Sequence, residues 1–271
     1  MKMFPMGSLE RSREALAAPA SQVFRDSVPD MQRLLTTLQS LPASSVRLGH
    51  ERAFADWLRP EDRAGLRTRT YDAKIRLDVG KPLEVFASRP PMEILVGKAC
   101  SPGFVLTPES LTDIAALATG AVNLAIRSGR LFTTPDARGI QVEFVSPEAV
   151  PVLIQKICGL FNTRATGPSA VHGAVWLLVA VLNAHAFLDG NGRVARALAN
   201  AYLIRNGALM HGPLPLGPLV YATGGNFEVA VRYVEIKNDW RPLARVMAEI
   251  VEVYAGLCDR FMTETAVPLR A

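Results

Sequence analysis

Cysteine is scarce in this sequence and nowhere arranged for chemistry. Cys100, Cys158 and Cys258 are the only three among 271 residues. They lie far apart, with no C-x-x-C pair and no metal-ligand spacing, which excludes a disulfide framework, a structural zinc site and a thioredoxin-like motif. Reduced, buried small apolar residues are expected instead. Long apolar runs are absent too: the longest, Ala174 to Leu182, is far too short to span a bilayer. The first twenty residues lack the continuous apolar stretch of a secretory signal, so a cytoplasmic location is expected, with a secreted effector as the alternative. No charge of one sign accumulates. Thirty basic against 25 acidic residues leave a net charge of +5, which suits an anionic ligand but does not argue for nucleic acid. The arginine-rich stretch from Arg47 to Arg76 is interleaved with Glu51, Asp56, Glu61, Asp62 and Asp72, the pattern of a solvated face. G-x-S-x-G, a P-loop and H-E-x-x-H are all missing, and with them the usual serine-hydrolase, P-loop and zincin chemistries. Internal repeats and low-complexity segments are absent as well.

What is present is helical periodicity. Met31, Leu34, Leu35, Leu38 and Leu41 follow the 3.6 period after Pro29. The stretch from Leu58 to Ser88 mixes charges with a possible short strand and carries no clear assignment. Gly97 to Gly103 is a candidate boundary. Thr107 is placed as an N-cap with Pro108 at N1, opening a helix expected to run towards Ile126. Ser128 to Pro147 reads as a β-hairpin around P-D-A-R-G. A helix is expected from Pro147 to Phe161, then one from Pro168 to Asn183 that is apolar nearly all round and so must be central. A further helix stops at Asn206-Gly207, Pro213 to Leu219 reads as a loop, and Leu243 to Leu257 mark an amphipathic terminal helix. The sum is an all-α protein with one hairpin.

Between the central helix and the next runs H-A-F-L-D-G-N-G-R-V-A-R, from His185 to Arg196. Asn191 is expected to cap the following helix, with Gly190 and Gly192 allowing a tight turn of outward N–H groups, a ready anion site. Arg193 and Arg196, three apart, share one helix face and can reach phosphate oxygens. Asp189 on the rim suits Mg²⁺ bridging to phosphates better than direct contact. His185, at the helix end, can take a proton from an incoming hydroxyl. Phe187 reads as the anchor that buries the loop. Each group alone has a bland reading; their conjunction within twelve residues is what points to phosphoryl or nucleotidyl transfer.

The stretch resembles the H-x-F-x-[DE]-G-N-G-R-x-x-R motif of Fic domains at all its fixed positions, with Ala186 where proline is usual. The resemblance implies the all-α Fic fold, a helical bundle around a central buried helix with one β-hairpin flap. It covers a catalytic core over residues 105–262; residues 1–104, outside it, read as a mostly helical extension of unassigned role, and 263–271 as a tail. The implied activity is protein adenylyl transfer: AMP moves from ATP to a Ser, Thr or Tyr hydroxyl of a target protein. The resemblance makes His185 the general base and Asp189 the Mg²⁺ ligand. Gly190, Asn191 and Gly192 become the anion hole, and Arg193 and Arg196 hold the outer phosphates. Thr133 and Thr134 on the flap (Gly129 to Ser146) would pair with the target's main chain. Retention of Gly192 favours nucleotidyl over phosphoryl transfer within the family. Alternatives are another donor, UTP or CDP-choline, or a nucleotide-binding interaction module without turnover.

Many relatives carry a self-inhibitory [ST]-x-x-x-E-[GN] pattern whose glutamate pairs with the second motif arginine. No glutamate here fits it. A separate antitoxin-like partner, constitutive activity, or another form of control remain open. His172 is read as a packing residue and Tyr202 as core or a purine contact. Neither nucleic acid nor membrane is expected as a partner.

Overall fold

In the computed structural model, residues 16, 24–43, 51–70, 91–122, 124–133 and 143–265 are described. Eleven α-helices lie among them. α1 (Val28–Ser40), α2 (Glu51–Trp57) and α3 (Pro60–Thr70) come first, then α4 (Met92–Cys100) and α5 (Pro108–Thr119). α6 (Val150–Asn162), α7 (Pro168–Ala184) and α8 (Asn191–Arg205) follow, and α9 (Leu216–Ala222), α10 (Asn226–Lys237) and α11 (Arg241–Thr265) complete the chain. The described residues contain no β-strand. Phe132 and Glu143 make a single antiparallel bridge, supported by the Phe144 amide donating to the Leu131 carbonyl at 3.0 Å. The base of the expected hairpin is therefore present, while its tip, with Thr134, lies outside the described residues. The fold is all-α.

α7 occupies the centre as its composition demands. Every residue from Ala170 to Val181 is buried, a distribution that only a helix surrounded by others can have. It packs most extensively on α8 and also against α1 and α6. The α7–α8 approach is close because Gly173 faces the Tyr202 ring: a Cβ there would lie 2.4 Å from Tyr202 Cε1. Tyr202 is 1% exposed and tilted against Phe161, a core residue.

One hydrophobic cluster runs from Leu16 to Cys258 and draws on all of these helices except α2's polar first turn. α11 lies across α1, α3 and α10. Arg33 and Arg69 both bridge to Glu249 and Glu252. Arg260 forks onto Asp62 at 2.7 and 2.6 Å, holding that carboxyl below its ordinary pKa. Such surface pairs contribute about 0.2–1 kcal/mol each; their consequence here is orientation, since they dock α2–α3 with Glu51 at the leading end. All three cysteines are free thiols. Burial pushes Cys158 and Cys258 up to about 11, so neither is a reactive thiolate.

Several boundaries differ from expectation. The helix opened by Thr107, with a capping box shared with Ser110, stops at Gly120 in the left-handed region, short of Ile126. α4 runs through Gly97, so the chain break begins only at Ser101. Pro213 to Leu219 is not all loop. α9 starts at Leu216 and accommodates Pro218 in its first turn, where a missing N–H costs no helical bond. α11 runs through Thr265. No described helix is long and apolar enough to cross a membrane.

Candidate functional site

The His185–Arg196 segment bridges the end of α7 and the start of α8. His185 caps α7 with φ 40° and ψ 50°, one of two non-glycine residues at positive φ among those described. Its N–H donates to Val181 O at 3.1 Å. The ring's Nδ1 lies 3.2 Å from the Leu182 carbonyl. A carbonyl only accepts, so Nδ1 carries the proton and Nε2 keeps its lone pair. The ring is stacked on Phe144, centroids 3.9 Å apart. Burial lowers the His185 pKa below its ordinary value. The Leu182 contact opposes this, the Arg127 and Arg232 cations add to it, and Asp189 opposes it. Burial thus favours the uncharged ring.

Phe187 is 1% exposed and anchors the loop as expected. Leu188 and Asp189 then project outward. Asn191 departs from expectation. The N-cap position of α8 is Gly190, at φ 88°, and Asn191 is the first helical residue. Its buried side chain turns back instead, accepting from Phe187 N at 3.0 Å and donating to Phe187 O at 2.6 Å. A side chain able to accept and donate at once closes the loop into a ring of fixed shape. Gly190 is required twice over: for its positive φ, and because a Cβ would meet Thr119 Cγ2 at 2.8 Å. Asn191 and Gly192 stand at the first two positions of α8, where N–H groups have no helical acceptor. With the helix dipole, these amides make the anion-attracting end of the site.

The two arginines are engaged differently. Arg193 is 7% exposed, donating to the Ala118 carbonyl and, at 2.8 Å, to Asp189 Oδ2. Arg196 curls back so that its Nη1 lies 3.3 Å from where a Gly192 Cβ would be. Its Nε is 3.4 Å from Glu51 Oε1, and the side chains of that pair are 12% and 11% exposed. The same Glu51 oxygen accepts from Gly217 N at 2.7 Å, at the start of α9. Although no glutamate follows the inhibitory sequence pattern, one from α2 occupies the second motif arginine.

Asp189 has an exposed carboxylate, and no group of three or more metal-binding side chains exists among the described residues. That donor set does not make a protein cage. It fits Mg²⁺ brought in with substrate phosphates, which is how that ion is commonly held.

Thr133 lies on the described arm of the flap, next to the Phe132–Glu143 bridge. Tyr202 faces the core, away from any purine role. His172 stacks on Phe24 at 5.0 Å and is buried inside the bundle, a packing residue. The sequence reading missed Glu51 and Arg127. Arg127, 8% exposed, hydrogen-bonds the backbone at both the flap and the end of α7. Neither carries a local signal, since both act on partners distant in the chain.

The Fic/DOC family model matches residues 106–203. Over 126 residues, which are 45% of this chain and 85% of the relative, the sequence is 32% identical to a Fido domain-containing protein of Dictyostelium discoideum. Among solved structures, a segment of Fic-1 from C. elegans aligns over 96% of this chain and 72% of its own, with 18% identity and a TM-score of 0.49. A Fic family protein from Desulfovibrio desulfuricans aligns over 98% and 76%, with 14% identity and a TM-score of 0.49.

Proposed function

The chain belongs to the Fic/DOC family, and from that premise we propose that it is a protein adenylyltransferase moving AMP from Mg-ATP to a Ser, Thr or Tyr hydroxyl. Family membership supports a Fic-fold transferase; the donor and acceptor are our reading of the site. The observation that carries it is the contact of His185 Nδ1 with the Leu182 carbonyl at 3.2 Å, which places the proton on Nδ1 and leaves Nε2 as the basic nitrogen, on the turn that leads into the first amides of α8. Nε2 takes the hydroxyl proton, and the oxygen attacks the α-phosphorus. The bond to the bridging oxygen breaks and pyrophosphate leaves. Asp189 would hold the Mg²⁺ that arrives with ATP, after releasing Arg193. The amides of Asn191 and Gly192 take the anionic oxygens, and Arg193 and Arg196 the outer phosphates. The target segment pairs with the flap near Thr133.

Arg196 cannot serve a γ-phosphate while it faces Glu51. The ligand-free arrangement is therefore restrained, and ATP must displace a buried carboxylate to bind productively. The reading is tested by incubating the protein and its His185→Ala variant with α-labelled ATP and a cell lysate. Label should appear on protein bands with the wild type alone; equal labelling by both would end the assignment of His185.

A further inference from the structure

Arg127 lies outside the motif, yet it touches more of the site's backbone than any motif residue does. Its amide donates to Ala186 O at 2.8 Å. Its guanidinium donates from Nε to His185 O at 2.8 Å and from Nη2 to Ala184 O at 3.2 Å. One residue thus satisfies three successive carbonyls at the end of α7, where helical partners run out. Two further N–H groups point to the flap: Nη1 donates to Gly129 O at 2.7 Å, and Nη2 also donates to Val145 O. Gly129 and Val145 belong to opposite arms of the hairpin base, just outside the Phe132–Glu143 bridge. Phe144, next to Val145, carries the ring on which His185 stacks.

We propose that Arg127 is a positioning residue which locks both arms of the flap to the backbone of His185, setting the target segment in register with the base. Four of the five donors in a rigid planar fork meet carbonyls at the end of α7 and on both arms of the flap, a task that a lysine's single ammonium cannot reproduce. The cation also sits at the negative end of the α7 dipole, where it is favoured. The proposal rests on the transferase reading for its kinetic consequence but not for its structural one. Arg127 does not touch the nucleotide cradle on α8, so its loss should be felt by the target and not by ATP.

The test compares wild type with Arg127→Lys and Arg127→Gln by two routes. Without any substrate, ring nitrogen NMR of His185 and hydrogen exchange of the Phe144 amide report on the lock. Wild type should show the Nδ1–H tautomer and a protected amide. Both variants should show mixed tautomers and exchange faster by about tenfold or more, as when a local opening loses a charge-assisted hydrogen bond. In transfer assays, kcat/KM for the target should fall about tenfold or more while KM for ATP stays within about twofold. A variant that melts lower yet keeps wild-type tautomer, exchange and target KM would show a purely structural role and overturn the proposal. So would full rescue by lysine. If Arg127→Gln does not fold, Arg127→Lys decides alone. Should the wild type transfer nothing, the transferase reading fails, while the NMR and exchange results still judge the lock.

Discussion

Replacing Glu51 by glutamine removes one charge and almost no volume. The amide oxygen can still accept from Gly217 N, so the start of α9 keeps its contact. What is lost is the attraction to Arg196 across 3.4 Å. At an effective dielectric of about 20, two unit charges at that distance attract by roughly 5 kcal/mol. Most of this offsets the desolvation of two largely buried ions, and since Arg196 Nε makes no hydrogen bond, the ion pair is worth about 1 kcal/mol net. ATP has to break that contact in the wild type and not in Glu51→Gln. Calorimetric titration of Mg-ATP, in a His185→Ala background to prevent turnover, should therefore show affinity rising about fivefold in the variant. In the His185-competent protein, labelling of lysate proteins should increase alongside. Unchanged or weaker ATP binding in Glu51→Gln would refute the idea that this glutamate holds Arg196 from the γ-phosphate.

Three further expectations follow from contacts of the core and the turn. Gly173→Ala brings a methyl to 2.4 Å from Tyr202 Cε1. The α7–α8 seam should lose about 1–3 kcal/mol in chemical denaturation, and an unshifted midpoint would contradict the packing. Gly190→Ala meets both a left-handed φ and Thr119, whereas at Gly192 only the flexible end of Arg196 must give. The first should cost about 1–2 kcal/mol or more in stability and lower ATP affinity; the second should fold normally, and equal effects would argue against the turn as drawn. His172 and His185 both have pKa values lowered by burial. The unfolded chain therefore binds more protons than the folded one below about pH 6.5, so their contribution to stability is present above that pH and lost as pH falls. His172→Phe should lessen the acid-induced fall in melting temperature, and an identical pH profile would show that His172 does not contribute to it.

Local features of the sequence were legible because their physics is local. The N-cap at Thr107, the all-round apolar α7 and the Asn-Gly stop after α8 each follow from neighbours in the chain. The turn between α7 and α8 was expected with Asn191 as its cap, and the structure puts Gly190 there. Asn191 is a common capping residue, yet the competing bonds to Phe187 on both sides of its amide used that side chain to close the loop. α9 was hidden by prolines that do no harm in a first turn. α10, with Phe227, Val231 and Val234 buried on one face, received no assignment. Glu51 and Arg127 were not legible at all. A glutamate at the head of a short helix looks like any favourable dipole partner, and an arginine before a turn looks like a surface charge. Only the fold brings one to Arg196 and the other to the carbonyls around His185.

The central claim concerns which phosphorus is attacked and by whose help. Parallel reactions with α-labelled and γ-labelled ATP, each with wild type, His185→Ala and Glu51→Gln, test it most directly. α-Label alone should reach protein hydroxyls, lost in His185→Ala and increased in Glu51→Gln. Transfer of γ-label, or α-labelling that survives His185→Ala undiminished, would contradict it.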